Sequence, residues 1–398
     1  MKRILLIYFV YLLCIWSYFL FFYRLETFSD SNYAALAHAV FFSKLPLEWI
    51  LLYSLIRSKW SKRWVSSIEV ITRFEWMRTL LFSILLVLAY GIIRLPFNLL
   101  WFFISHQEGT SHQPLGDWFY EISLDLFFYW IVLTLGIIVI RLLIEQFKKT
   151  WWLLLWLLAL PLVLFVVYVQ PIWIDPLYED FTTMEQGPLR TEIENFTNEI
   201  GLDNATLLQV NMSEKVTTFN AYVTGIMGNA RIVLWDTTLE GMEQDEILFI
   251  LAHEIGHYVK HHVFIGVAGY LVLSFVVFFL AAVIYDRVWL NIKRKESYKS
   301  KSELRAIPLL LLILSLLLTV TQPISNYVSR QIERSADDYA IEHTDNLAPA
   351  LEGYHRMAVQ SRSDIDPIFL VKWMRSSHPS TKERIARIER EIQKRETN

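Results

Sequence analysis

Residues 253–257 read His-Glu-Ile-Gly-His, and this segment contains the side chains that a metal-dependent hydrolase needs. In a helix, residues four apart lie one turn apart on the same face, so His253 and His257 can bind one ion through imidazole nitrogens. Glu254 would then lie beside the ion, where it can deprotonate a bound water. Zinc suits such a site, because three protein ligands leave a fourth position for a water whose pKa falls toward about 7.

The third metal ligand must come from another segment. A histidine six residues after the motif would complete a metzincin site, but position 263 is a valine. His261 and His262 are further candidates, although we expect them at the junction of helix and membrane, facing water or lipid headgroups. Glu333 is the better candidate, since it lies on a second predicted helix in the polar part of the chain.

Asp337 follows Glu333 by one helical turn on the same face, where its carboxylate can accept a hydrogen bond from a ligand histidine. The alternative is an ordinary solvated acidic face, in which Arg330 and Arg334 are the partners of these two carboxylates. Spacing alone leaves both interpretations open.

The composition indicates that several segments of the chain lie in lipid. Of 398 residues, 54% are hydrophobic and only 19% are charged, whereas soluble globular domains carry about 25% charged residues. The aromatic content of 15% is typical of chains that cross membrane–water interfaces. The net charge of -3 argues against a nucleic-acid partner. Cys14 is the single cysteine, which excludes an internal disulfide and a cysteine-rich zinc site.

Seven segments are candidates for membrane-spanning helices, each of which needs about 18–20 consecutive apolar residues. Residues 36–56 form the weakest candidate, because Lys44, Pro46 and Glu48 interrupt them. The others are residues 4–22, 77–104, 118–140, 151–169, 263–285 and the shorter 306–320. We therefore predict a multi-pass membrane protein surrounded by the lipid bilayer.

The charged loops between the spans predict their orientation. Lys and Arg side chains are concentrated in loops 57–78, 141–150 and 285–305, which fall on one face when the spans are counted. The positive-inside rule makes that face cytoplasmic. The polar stretches then lie on the opposite side, which predicts an extracytoplasmic metal site.

The polar stretches divide the chain into N-terminal spans (1–169), a first polar part with the metal motif (170–262), two spans with a basic loop (263–321) and a second polar part (322–398). We expect the two polar parts to form one small α+β domain. We expect helices 243–262 and 325–342 to continue directly into the neighbouring spans. The other predicted elements are helices 187–199 and 381–394, strands 206–212, 219–224 and 231–235, and a turn at 225–230.

Four ordered motifs resemble those of the type I CAAX prenyl protease family, the integral-membrane gluzincins. They are Leu-Ala-His-Glu-Ile-Gly-His at 251–257, Ser-Arg-Gln-Ile-Glu-Arg-Ser-Ala-Asp-Asp-Tyr-Ala at 329–340, the paired segments 219–225 and 231–237, and Ser-His-Pro-Ser-Thr-Lys-Glu-Arg at 377–384. The segment 168–181 is also similar. The resemblance extends from about residue 70 to residue 392.

The resemblance implies a role for each candidate catalytic residue. His253, His257 and Glu333 would bind one zinc ion per chain. Glu254 would be the general base and later the proton donor to the leaving amine. His378 would stabilise the tetrahedral oxyanion, although the sequence around it also fits a plain turn before a proline.

The resemblance also implies supporting roles for four residues outside the metal ligands. Asp337 would orient a ligand histidine, and Arg330 and Arg384 would brace the site. Asn220 would lie on an edge strand and hold the backbone of a substrate that pairs by strand addition. From its own sequence context, Asn220 also fits an ordinary polar residue at a turn or strand end.

The fold implied by the resemblance is a membrane α-helical one: seven transmembrane helices, one of them weak, enclose a chamber and join a small α+β zincin-like metalloprotease domain. Arg94 and Asp125 lie inside predicted spans and fit a chamber lining, although Arg94 can also snorkel from a helix end. The segment 236–246 is short, which looks bacterial and predicts a bacterial cell membrane. In eukaryotic members the zinc site faces the cytosol, in contrast to the orientation that the basic loops predict here.

We therefore expect a zinc-dependent membrane endopeptidase that processes peptides or acts on damaged membrane proteins. A catalytically silent receptor is one alternative, but it would need a broken site, and all four residues of the metal site are present. A zinc-dependent transporter is another. It would place metal ligands within lipid spans, whereas these candidates lie at span ends.

Overall fold

The computed structural model describes residues 2–200, 202, 205–225, 230–296 and 298–397. In this part the regular secondary structure is helical apart from one small sheet. The longer helices are α1 (Lys2–Ser17), α2 (Tyr33–Lys44), α3 (Leu47–Arg57), α4 (Trp60–Ile71), α5 (Glu75–Gln107), α6 (Leu115–Gln146), α7 (Trp151–Val169), α8 (Pro188–Glu199), α9 (Asp236–Gly241), α10 (Gln244–Val259), α11 (His262–Glu296), α12 (Ile307–Glu342), α13 (Ala348–Gln360), α14 (Phe369–Arg375) and α15 (Thr381–Thr397).

Six helical segments among the described residues are long and apolar enough to cross a membrane, and a bent pair makes a seventh. The weakest predicted span, 36–56, is one of the six, because α2 and α3 together form it. The bent pair joins Trp151–Val166 to Gln170–Leu177 at 48°. Pro171 lies at the bend and cannot donate the backbone hydrogen bond that would continue the helix. The six are Lys2–Phe22, Tyr33–Arg57, Glu75–Gln107, Leu115–Gln146, His262–Ile292 and Leu304–Glu342.

The three basic loops lie together at one end of the helices, as the count of spans predicts. Arg141 donates hydrogen bonds to the backbone oxygen of Ser302 (2.6 Å) and to Oγ1 of Thr79 (2.7 Å). It also forms an ion pair of 2.8 Å with Glu75. Cationic residues of all three loops line one cavity at this end: Lys62, Arg78, Arg141, Lys299 and Arg305.

The two ionisable residues singled out inside the spans have partners within the protein. The Arg94 guanidinium lies 5.0 Å from the centroid of the Tyr90 ring, one turn earlier on α5. Asp125 Oδ1 accepts a hydrogen bond of 2.9 Å from the hydroxyl of Tyr178. Tyr178 follows the bent pair, so this contact ties α6 to the start of the polar domain.

The sheet has the strand order β1 (Phe181–Thr183), β2 (Thr206–Val210), β4 (Arg231–Trp235) and β3 (Ala221–Thr224). The pairs β1–β2 and β3–β4 are antiparallel, and β2–β4 is parallel. The three predicted strands therefore form, and β3 is an edge strand of the described sheet. The three-residue β1 was not predicted, because it is too short for a periodic pattern. The predicted turn at 225–230 includes residues 226–229, which lie outside the described residues.

One face of helix α10 packs against the sheet. The opposite face carries the two histidines of the metal motif. Ile247, Leu251 and Ile255 recur every four residues and are almost completely buried against sheet residues such as Ile232 and Leu234. Residues offset by two positions point about 200° away on a helix. This geometry directs residues 253 and 257 away from the sheet and toward α12, which packs along the other side of α10.

The two helices that carry the metal motifs differ in how they meet the membrane helices. α12 runs from Ile307 to Glu342 without a break, as predicted. α10 ends at Val259, and α11 begins at His262, so the expected direct continuation of helix 243–262 is wrong. His261 has a left-handed backbone with φ of 55°, which ends one helix and changes the direction of the next. The four-part division of the chain at residues 169, 262 and 321 remains our proposal.

Candidate active site

The start of α10 is fixed by two glutamates. The Glu243 side chain accepts the backbone N–H three residues on, and Glu246 Oε2 accepts the Glu243 N–H at 2.9 Å. This capping box satisfies backbone donors that the first helical turn leaves unpaired. The apolar residues that follow bury the helix, so the motif at 253–257 lies in a rigid element.

Three side chains from α10 and α12 converge on one point. The Nε2 atoms of His253 and His257 are 3.2 Å apart. Glu333 Oε2 is 3.3 Å from Nε2 of His253, and Glu333 Oε1 is 3.5 Å from Nε2 of His257. Tetrahedral zinc with bonds of about 2.0–2.1 Å requires ligand atoms about 3.3 Å from one another. Glu333 Oε2 is also buried without a hydrogen-bond partner among the described residues, so this group of donors fits a zinc ion.

A glycine allows α10 and α12 to approach this closely. A Cβ atom added at Gly256 would lie 2.9 Å from the Cβ of Tyr339 on α12, closer than real Cβ atoms come. Tyr339 is buried in the same core as α10. The glycine of the His-Glu-Ile-Gly-His segment therefore sets the spacing between the helices that hold the two histidines and Glu333.

Glu254 lies beside the cluster, with Oε1 4.0 Å from Nε2 of His253. Burial raises the pKa of its carboxyl to about 7. Its carboxyl also accepts a hydrogen bond from the backbone N–H of Val223 on the edge strand β3. This contact brings β3 next to the point where the metal ligands converge. A carboxyl with a pKa near neutrality can both accept and return a proton at physiological pH.

Asp337 holds His253 from the side away from the cluster. Asp337 Oδ1 is 2.9 Å from Nδ1 of His253 and also accepts the hydroxyl of Tyr354 at 3.2 Å. Arg384 donates to Asp337 Oδ2 at 3.1 Å. Burial disfavours the charged form of His253, but the neighbouring carboxylates of Asp337 and Glu333 outweigh it and raise its pKa to about 9.

The pKa of His257 is shifted in the opposite direction, downward from its ordinary value. Burial, together with the positive charge of His253, lowers the pKa of His257 to about 4.

His378 reaches the cluster from the loop between α14 and α15. Its Nε2 is 3.4 Å from Glu333 Oε2, and its Nδ1 is 2.9 Å from the hydroxyl of Ser377. The His378 side chain is 60% exposed, so one face of its ring is open to an incoming molecule. Arg330 is buried and donates to the backbone oxygens of Lys372 (3.0 Å) and Ser376 (2.7 Å). It therefore fixes the loop that leads to His378.

Asn220 lies immediately before β3. Its backbone N–H donates to the hydroxyl of Thr238 at 2.8 Å, and its backbone oxygen accepts that same hydroxyl at 2.8 Å. The Asn220 residue is exposed. Its side chain therefore lies at the open edge of the sheet, next to the strand that contacts Glu254.

Two residues of the cluster were not expected from the sequence. Tyr354 on α13 was missed, because nothing in its spacing connects it with Asp337. His262 was expected to face water or headgroups, but it is 5% exposed and its Nδ1 lies 3.1 Å from Nδ1 of His257. The helix break before His262 brings the two rings together, and helical spacing does not predict that break. His261 is exposed, in agreement with expectation.

Two family models match the chain. The model described as peptidase family M48 matches residues 183–392, which contain both metal-binding helices and the loop with His378. The model described as CAAX prenyl protease N-terminal, five membrane helices, matches residues 4–180. That segment contains four of the candidate spans and the bent pair.

Several curated proteins are similar over much of their length. "Uncharacterized metalloprotease YhfN" of Bacillus subtilis is 39% identical over 360 residues, which are 90% of this chain and 84% of that protein. A CAAX prenyl protease 1 homolog of Caenorhabditis elegans is 27% identical over 331 residues, or 75% of this chain and 73% of that protein. CAAX prenyl protease 1 of Saccharomyces cerevisiae is 29% identical over 247 residues, or 57% and 54%.

Among solved structures, the crystal structure of S. mikatae Ste24p matches with a TM-score of 0.75 and 22% identity, and it covers 90% of this chain and 87% of that one. This similarity supports the predicted membrane-helical fold with a small sheet-containing domain. The candidate spans, the family-model matches and the identity to the Bacillus protein converge. The chain belongs to peptidase family M48 and is a multi-pass membrane metalloprotease.

Proposed function

We propose that this chain is a zinc-dependent endopeptidase in which His253, His257 and Glu333 bind the metal and Glu254 is the general base. The observation that carries the proposal is the convergence of three ligand atoms within 4.8 Å of one another, with Glu254 beside them. Zinc bound there would lower the pKa of water and polarise the carbonyl of the scissile bond.

The side chains of the site then have separate tasks. Glu254 accepts a proton from the attacking water and returns it to the leaving amine, because its buried carboxyl lies beside the three converging ligand side chains. His378 donates a hydrogen bond to the oxygen that becomes negative in the transition state. Asp337 and Arg384 keep His253 oriented, since a metal-binding histidine is fixed by the partner of its other nitrogen. Arg330 keeps the loop of His378 in place.

The edge strand β3 is the proposed binding surface for the substrate backbone. An extended peptide can add to an exposed sheet edge through main-chain hydrogen bonds. Asn220 lies at the start of β3, and Val223 connects this strand to Glu254. A peptide bound along β3 would pass the general base, with the Asn220 amide available to its backbone.

We propose peptides or membrane proteins as the natural substrates and a bacterial cell membrane as the location. Several relatives are named CAAX prenyl protease 1, so a prenylated peptide is a suitable test substrate beside an unmodified one. A catalytically silent receptor or transporter is not favoured, because His253, His257 and Glu333 converge with Glu254 beside them, an arrangement that such a protein would not need.

The decisive experiment compares the wild-type protein with Glu254→Gln. The wild type should contain about one zinc ion per chain and cleave an unbiased peptide library. The variant should keep its zinc and lose cleavage by a factor of about 10²–10⁴ or more, because only the proton-transfer group is changed. Glu240→Gln, an exposed change on α9, is the matched control and should leave the rate unchanged.

Cleavage by Glu254→Gln at the wild-type rate would refute this mechanism. If the variant is inactive, proteins that remain bound to it in cells identify the substrates. Comparison of the proteomes of cells with either form then distinguishes peptide processing from the removal of damaged membrane proteins.

A further inference from the structure

The two histidines of the proposed metal site differ in what their outer nitrogens contact. Nδ1 of His253 faces a carboxylate, with Asp337 Oδ1 at 2.9 Å. Nδ1 of His257 faces another imidazole, with Nδ1 of His262 at 3.1 Å. The ring centroids of His257 and His262 are 5.0 Å apart and the planes meet at 77°. This edge-on arrangement directs one ring nitrogen at the other.

The position of His262 results from the break between α10 and α11. In an uninterrupted helix, residue 262 would point about 140° away from residue 257, because each residue turns by about 100°. The left-handed backbone of His261 changes the chain direction instead. Lys260 fixes this break, because its Nζ donates to the backbone oxygen of Ser335 on α12 at 2.9 Å.

The surroundings of His262 favour a lasting hydrogen bond. His262 is 5% exposed, so little water competes for its ring nitrogens. His257 can bind the metal only through Nε2, the atom that faces His253 and Glu333. A neutral His257 that binds through Nε2 carries its proton on Nδ1, and that N–H needs an acceptor.

We propose that His262 is a positioning residue that accepts the Nδ1–H of His257 and so fixes the tautomer and orientation of that metal ligand. This proposal rests on the proposed metal site. His262 takes no part in proton transfer to the substrate and does not bind the metal through the nitrogen that faces His257. Its role for His257 corresponds to the role of Asp337 for His253, with an uncharged acceptor in place of a carboxylate.

The test measures zinc affinity by chelator competition, and the geometry of the site by the visible spectrum of the cobalt(II)-substituted protein. His262→Phe keeps an aromatic ring but removes the acceptor, and it should weaken zinc binding by about 10–100-fold. His262→Asn offers an amide oxygen near the position of Nδ1 and should recover most of the affinity and the wild-type cobalt spectrum. His261→Asn is the control. It removes the neighbouring exposed imidazole, tolerates the left-handed backbone, and should bind zinc as the wild type does.

The proposal is overturned if His262→Phe binds zinc with wild-type affinity and gives the wild-type cobalt spectrum, or if His262→Asn is as weak as His262→Phe. If His262→Phe does not fold, His262→Leu replaces it in the same comparison with His262→Asn. A wild-type protein that binds no zinc would instead refute the proposed metal site, so the two failures are distinguishable.

Discussion

At the scale of single residues, the charges around the proposed metal site depend on Arg384. It contacts Asp337 and approaches Nδ1 of His253 at 3.3 Å, and Tyr354 packs 4.3 Å below its guanidinium. Its side chain is 14% exposed and that of Asp337 5% exposed, so the pair is screened little by solvent. Removing one partner of such a pair leaves the other charge buried and unpaired.

We expect Arg384→Met to lower the free energy of unfolding by about 3 kcal/mol and to weaken zinc binding, because Asp337 would no longer be held against His253. Thermal unfolding of the detergent-solubilised protein and its zinc content are the measurements. Arg390→Met, an exposed change on the same helix, is the control and should alter neither quantity. Equal unfolding temperatures for the two variants would show that Arg384 has no such role.

His378 should affect the rate without affecting stability or metal binding. Its side chain is largely exposed, so the substitution His378→Ala removes little packing. Loss of a hydrogen-bond donor to a developing oxyanion typically lowers kcat by about 10²–10³. We expect that loss in a peptide-cleavage assay, with zinc content and unfolding temperature unchanged. His112→Ala, an exposed histidine distant in sequence, should behave as the wild type; a lost zinc ion in His378→Ala would argue for metal binding instead.

Helical spacing predicts which residues of the site lie on one helix, and it does not predict contacts between helices. The pairing of His253 with His257 follows from their four-residue spacing alone. Glu333 was a candidate from its place on a second predicted helix, but spacing left its role open. Only the resemblance to a family assigned Glu333 and His378 to the site, because they come from elements distant in the sequence. His262 was assigned to the wrong environment, because the left-handed residue before it has no signal in the sequence.

At the scale of elements, the distance between α10 and α12 decides whether the ligands meet. Gly256→Ala should increase that distance, because its Cβ would clash with Tyr339. Overpacking costs about 1–3 kcal/mol, and the higher helix propensity of alanine offsets about 1 kcal/mol. We therefore expect a small loss of stability and a clear loss of zinc affinity, since His257 and Glu333 move apart.

Gly269→Ala on α11 is the matched control, because a Cβ there meets nothing within 4 Å. It should keep the wild-type zinc affinity and be at least as stable. Zinc titration and thermal unfolding of both variants test the prediction. If Gly256→Ala binds zinc as tightly as Gly269→Ala does, the close approach of the helices is not needed for the site.

Long elements were predictable from the sequence, and their ends and bends were not. Apolar length located each candidate span, including the interrupted 36–56, because a helix of about 20 mainly apolar residues matches the thickness of the hydrocarbon layer. The bend near Pro171 and the break at His261 depend on a few backbone angles. Strand β1 has three residues, and only pairing with β2 determines that it is a strand.

At the scale of the whole molecule, the basic loops predict which side of the membrane the proposed metal site faces. Cationic residues from three loops meet at one end. If that end is cytoplasmic, as the positive-inside rule requires, the polar domain is outside.

In a Cys14→Ser background, a membrane-impermeant maleimide should label Asn346→Cys in intact cells. Lys299→Cys, exposed in the basic loop, should react only after permeabilisation. The reverse pattern would place the site in the cytoplasm.

The unbroken helix α12 also sets how far from the bilayer a peptide bond is cut. Ile307 lies beside the basic loops, and Glu333 follows it by 26 residues on one continuous helix, which corresponds to about 39 Å along the axis. The hydrocarbon layer is about 30 Å thick. With the basic loops at one membrane surface and α12 straight along the membrane normal, the proposed metal ligand would lie roughly 10 Å beyond the hydrocarbon on the other side. We expect cleavage of membrane-anchored substrates in the segment that has just left the bilayer, while bonds at the centre of a spanning helix stay intact.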